Sequence, residues 1–161
     1  MLHKLKKIAN KKVINKQALK GVLFKNNKAV ATDSFKMIEL DYNTDELPED
    51  GVLISADVFK AGDRVVQKYG QTVLQRQDGS ELVAPVIEDH YPDVDQIKPA
   101  EERAGETITV NRQYLIDLLE AMSANDDPHD RVELKVETER KDVAMVVRNK
   151  TAYGLIMPVK S

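Results

Sequence analysis

The 161-residue chain contains no cysteine. Disulfides, thiolate metal sites and thiol nucleophiles are thereby excluded, and the composition fits a reducing compartment. No apolar run approaches the roughly 18–20 residues a membrane-spanning helix needs. The opening "MLHKLKKIANKK" lacks the apolar core of a signal peptide. No membrane partner is expected, and the expected location is the cytoplasm. Acidic residues are missing from residues 1–28, which instead carry nine lysines. The remainder holds 15 basic against 27 acidic residues, so a net charge of −3 conceals a body of −12. A cationic segment on an anionic body binds a polyanion in one place and repels it elsewhere. A solvated lysine helix is the plainer alternative.

Catalytic signatures are also missing. There is no glycine-rich phosphate loop, GxSxG elbow or HExxH pair. His3, His90 and His129 stand far apart and in no ligand spacing. "DDPHD" (Asp126–Asp130) concentrates carboxylates beside an imidazole, but its proline and its place between a helix and a strand read as a solvated loop. No catalytic residue, metal or cofactor is expected, and the chain does not read as an enzyme.

What is present is alternation. At 42% hydrophobic and 32% charged the chain reads as globular. Three segments repeat a short amphipathic helix followed by strands, with a period of about 50 residues. The first helix is expected over Leu2–Lys12, with strands at Leu19–Phe24, Ala29–Thr32 and Lys36–Asp41 and a hairpin turn at Asn26–Lys28. After the linker Tyr42–Gly51 and the strand "VLISA", Ser55 or Asp57 is expected to cap a helix reaching Tyr69 and closed by Gly70. The strands "TVLQRQ" and "ELVAPVI" then flank the turn Asp78–Ser80. After a second linker, Ala100–Glu106, come the strand "TITV", a helix from Asn111 to Met122, and the strands "RVELKVE", "VAMVVRN" and "TAYGLIMP". Lys4, Lys7 and Lys11 fall on one helix, and Lys60, Arg64 and Lys68 on the next, each set opposite an apolar face. Such rows contact phosphates without reading sequence. The third helix offsets Arg112 with Asp117 and Glu120.

Three quoted stretches resemble the bacterial sliding clamp, the beta subunit of DNA polymerase III, in the order that family has them. "GVLFKNNKAVATDSFKMIEL" is similar to the family's middle-domain stretch ending in ATDGHRLA. "YPDVDQIKP" is similar to its FPD…P segment. "ITVNRQYLIDLLEAM" followed by "AYGLIMPVKS" is similar to its last helix and MPMR tail.

The resemblance implies an α+β DNA-clamp fold, with repeated strand–helix–strand units and helices on one face of antiparallel sheets. Residues 1–99 then correspond to a clamp domain of two units, and 100–161 to a half domain of one unit. It implies sequence-independent binding of double-stranded DNA through Lys4, Lys7, Lys11, Lys12, Lys60, Arg64 and Lys68. A DNA polymerase or another replication protein would be tethered through a short peptide motif, with a clamp loader as a further partner. The peptide groove implied comprises Thr32, Ser34, Phe35, Lys36, Met37, Pro92, Ile97, Leu155, Ile156, Met157, Pro158, Val159 and Lys160. From the residues alone these positions read first as core and strand ends.

Two departures bear on the groove. Ser34-Phe35-Lys36 stands where the family has Gly-His-Arg, and Asp95-Gln96 stands where basic residues are frequent. With about twelve units to a ring and three here, a head-to-tail homotetramer is expected. The abbreviated architecture suggests a phage or mobile-element clamp. A monomeric adaptor or decoy that binds clamp-interacting peptides is the alternative.

Overall fold

Strict alternation across Gly21–Lys25 (β1), Lys28–Thr32 (β2) and Met37–Asp41 (β3) sends Val22, Phe24, Ala29, Ala31, Ile38 and Leu40 to one side of an antiparallel sheet. The β1–β2 connection is the two-residue turn Asn26–Asn27, with φ of 51° and 57°. Positive φ at both positions matches the twist of the flanking strands, and asparagine tolerates it. Val52–Ser55 (β4) joins the free edge of β1, giving the order β3-β2-β1-β4.

This computed structural model describes residues 2–9, 15–97, 108–122, 131–136 and 143–159. It divides into two units, Met1–Ile97 and Lys98–Ser161. The second sheet of the first unit contains Arg64–Lys68 (β5), Gln71–Gln75 (β6) and Glu81–Val83 (β7). Its inward residues Val65 and Leu74 share one core with β1, β2 and β4, with Leu2 and Leu5 of the 3-10 helix Leu2–Lys7, and with Ala56 and Phe59. The opposite face of the first sheet buries Val30 and Leu53 under Ala18 and Tyr91.

The second unit places the α-helix Arg112–Ala121 (α1) against a sheet of Glu133–Lys135 (β8), Met145–Arg148 (β9) and Tyr153–Ile156 (β10), ordered β10-β9-β8. Asn111 caps α1 as expected, its Oδ1 accepting from the N–H groups of Gln113 (2.8 Å) and Tyr114 (3.3 Å). Leu115, Leu118 and Met122 pack on Met145, Val147 and Ile156. The chain is thus α+β, built from antiparallel sheets with few helices.

Two expected helices are corrected. The first is a 3-10 helix ending at Lys7, and residues 10–14 lie outside the described residues. Three residues per turn puts Leu2 and Leu5 in one row and Lys4 and Lys7 in another. The helix expected to run to Tyr69 is not formed. Ala56–Val58 makes a single 3-10 turn without a side-chain cap at Ser55, and Arg64–Lys68 is strand β5. Gly62 at φ +82° breaks the helical path, and β5 pairs with β6 at all five positions. Gly70 caps no helix. With Tyr69 (φ 52°) it forms the β5–β6 hairpin turn at φ 73°. Among the described residues no helix is long and apolar enough to cross a membrane.

Candidate functional site

The 3-10 helix Leu2–Lys7 buries Leu2 and Leu5 and exposes Lys4, Lys6 and Lys7. It packs against the Ala56–Val58 turn, which leads to exposed Lys60. Asp63 shapes that turn. Its Oδ2 accepts from the Lys60 N–H at 2.7 Å and pairs with Arg76, whose Nη1 also donates to the Val58 carbonyl at 3.1 Å. The Asp63 side chain is 0% exposed, so Arg76 is its necessary counter-charge. Sequence reasoning missed Lys6, which the four-residue spacing of an α-helix left off the basic row.

Arg64 and Lys68 do not join this surface. On a strand they share one face with Val66, while Val65 points into the core beneath the Leu2–Lys7 helix. Lys68 is held by Glu81 across the sheet, an ion pair that raises the lysine pKa and lowers the glutamate pKa. The row Lys60, Arg64 and Lys68 is therefore broken by the change from helix to strand. Lys11 and Lys12 lie outside the described residues.

The turn from β2 to β3 is built around Asp33. Its Oδ1 accepts from the N–H groups of Phe35 (3.0 Å) and Lys36 (2.9 Å), and Oδ2 meets Lys36 Nζ at 3.2 Å. Burial alone would raise the Asp33 pKa, but these donors and the Lys36 charge hold it below its ordinary 3.8. Thr32 is buried. Its hydroxyl donates to the Lys36 carbonyl at 2.8 Å and accepts from the Ser34 N–H at 3.2 Å. Ser34 takes the left-handed conformation at φ 78°. The outcome is a stiff loop presenting Phe35, 94% exposed, beside half-buried Met37. Thr32 is thus a brace for the loop. Pro92 is exposed after Tyr91, whose hydroxyl donates to the Val30 carbonyl at 3.1 Å. Ile97 ends a 3-10 turn, Val94–Ile97, and its side chain lies outside the described residues.

In the second unit, Tyr153, Leu155, Met157 and Val159 are all exposed, alternating with inward residues along β10 and its extension. Pro158 bridges to Val110, and the Val159 N–H donates to the Thr109 carbonyl at 2.8 Å. Ile156 corrects the expectation. At 3% exposure it belongs to the core under α1 and is not groove lining. Lys160 lies outside the described residues. A cleft of about 680 Å³ in the first unit, lined by Leu23, Leu53, Thr72, Ile87, His90 and Tyr91 among others, contains none of the expected site residues. Among the described residues no group of three or more carboxylate and imidazole side chains could hold a metal.

Solved structures share this arrangement of antiparallel sheets with few helices. A sliding clamp from Bacillus subtilis matches over 98% of this chain and 46% of its own, at 15% identity and a TM-score of 0.64. The DNA polymerase III beta chain of Streptococcus pneumoniae matches over 98% and 47%, at 19% identity and a TM-score of 0.65. A Pseudomonas aeruginosa sliding clamp matches over 98% and 48%, at 14% identity and a TM-score of 0.64. The chain therefore has the sliding-clamp fold and spans about half the length of these relatives. No protein-family model matches the sequence, and no curated protein matches it.

Proposed function

We propose that the chain is a protomer of a DNA sliding clamp, a non-catalytic processivity factor that surrounds duplex DNA loosely and tethers a polymerase or another replication protein to it. The observation that carries this reading is the clamp fold, matched over 98% of the chain in several sliding clamps. The exposed lysines Lys4, Lys6, Lys7 and Lys60 support it, because sequence-independent retention needs only mobile cations facing phosphate. Lys11 and Lys12 extend the same basic segment in the sequence.

In the first unit the tether is assigned to the Asp33–Lys36 loop and the start of β3, which present Phe35, Lys36 and Met37 to a partner peptide. In the second unit, taken by itself, Leu155, Met157 and Val159 offer adaptable apolar surface. Residues 1–99 and 100–161 are assigned as a two-unit clamp domain and a single-unit half domain. Head-to-tail contact between protomers is assigned as the closure of the ring. Light scattering that returns a stable monomer defeats the ring.

Retention on closed circular DNA with release after linearisation is the test, since a ring slides off free ends. A monomeric adaptor or decoy is the second reading. It is favoured by one observation, the break in the Lys60–Arg64–Lys68 row, which narrows the basic surface. An adaptor binds clamp-interacting peptides and shows no dependence on DNA topology.

A further inference from the structure

The helix of the second unit is thinly covered. No residue of α1 is fully buried, and its sheet has no strand beyond β8 among the described residues. Leu134 of β8 lies opposite Val147 and so shares the helix-bearing face, yet it is 56% exposed where Val147 is 0%. Leu115 and Leu118 turn to that core. The flank of α1 beside them carries Arg112, Ile116, Leu119 and Glu120, whose spacing of i, i+4, i+7 and i+8 makes one stripe. Ile116 is half-buried and the other three are exposed.

The charges of this stripe are set against the helix that carries them. Arg112 stands in the first turn and Glu120 in the last, where the macrodipole disfavours each sign. Asp117, the third charge of α1, lies on another flank and accepts from Gln113 Nε2 at 2.7 Å. Arg112 and Glu120 make no hydrogen bond or ion pair among the described residues. Eight residues apart, they are separated by about 12 Å along the axis and cannot meet each other. An antiparallel helix of the same sequence removes the conflict. Both charges lie four residues from Ile116, so a two-fold axis there sets each Arg112 against the other copy's Glu120. The two macrodipoles then oppose each other as well.

We propose that α1 docks antiparallel on α1 of a second copy of this chain, with Ile116 at the two-fold axis and an Arg112–Glu120 pair on either side. Ile116 and Leu119 of both copies supply the apolar surface between the pairs. The charge order is self-complementary, as an isologous contact requires. The contact concerns the second unit alone and goes beyond the DNA reading. It also differs from a head-to-tail contact, which joins unlike surfaces.

Light scattering of the full chain at low salt, over a range of concentrations, is the first test. The wild-type chain self-associates. Arg112→Glu and Glu120→Arg each weaken association by about tenfold, because each turns both pairs into like-charge contacts. Arg112→Glu combined with Glu120→Arg restores it. Neither single reversal lowers the melting temperature, since each places its charge at the favoured end of the lone helix. The lack of native cysteine allows a second test. Ile116→Cys treated with a short bis-maleimide gives a covalent dimer, whereas Tyr69→Cys, at an exposed position of the first unit, does not. Association indifferent to the single reversals, no recovery in the double variant, or no covalent dimer from Ile116→Cys overturns the antiparallel contact. Association that persists in those cases points to a head-to-tail contact instead. A wild-type chain that stays monomeric overturns the proposal outright.

Discussion

The Tyr42 hydroxyl accepts from the Val65 N–H at 2.7 Å and donates to the Val65 carbonyl at 3.3 Å. One side chain thereby satisfies both main-chain polar groups of a buried residue on strand β5. In the first sheet the corresponding edge, that of β1, is closed by strand β4. In the second sheet β5 has no strand on its other edge among the described residues, and the phenol stands in. Tyr42 is fixed for this by an edge-on contact with Phe24, ring centroids 5.0 Å apart. Its pKa is raised, burial being the main cause.

Tyr42→Phe keeps the ring contact and leaves the Val65 N–H and carbonyl without their partner. A loss of about 1–3 kcal/mol is expected. Denaturant unfolding followed by a probe in the first unit reads this, and an unchanged midpoint would refute the edge-closing role.

Asp63 and Arg76 form a buried pair whose members cannot be removed one at a time cheaply. Asp63→Leu and Arg76→Met are each expected to cost about 3–5 kcal/mol, because each strands a charge, and the double variant less than the sum. Additive losses in the cycle would show that the two side chains act independently.

The two groups of cations are expected to behave differently. Lys4→Glu with Lys7→Glu abolishes retention on circular DNA, whereas Arg64→Glu with Lys68→Glu leaves it nearly intact. Arg64 and Lys68 lie on a sheet face turned away from the core beneath the basic helix. Equal losses in both variants would dissolve the assignment of the basic helix as the DNA face.

Phe35→Ala is expected to leave thermal unfolding within about 0.5 kcal/mol of wild type, since the ring is solvent-exposed. Binding of a clamp-interacting peptide falls in the same variant. Peptide binding indifferent to this change removes Phe35 from the groove.

Tyr91, buried and donating to the Val30 carbonyl, has its pKa pushed up from 10.0 to about 12 by burial. The folded state binds the proton more tightly than the unfolded chain. The stabilisation is therefore fully present below pH 10 and declines as pH rises toward 12. Tyr91→Phe flattens that alkaline loss in a pH series of melting curves.

Much of the chain was legible without coordinates, wherever a local rule decides. Short apolar runs between turn residues marked β1, β2, β3 and β4, the stretch Asn26–Lys28 marked the first hairpin, and Asn111 marked the start of α1. The lysine-rich opening was likewise visible as a residue pattern. Residues 56–69 were not. Val58, Phe59, Val65 and Val66 satisfy a helical period as well as two shorter elements, and only pairing with β6, which no local pattern encodes, selects the strand. That choice turned Arg64 and Lys68 away from the Leu2–Lys7 helix. The Asp63–Arg76 pair, the Tyr42 closure and the burial of Ile156 were equally beyond reach. Each depends on which distant backbone a side chain meets once the sheets have packed, and sequence spacing carries no record of that distance.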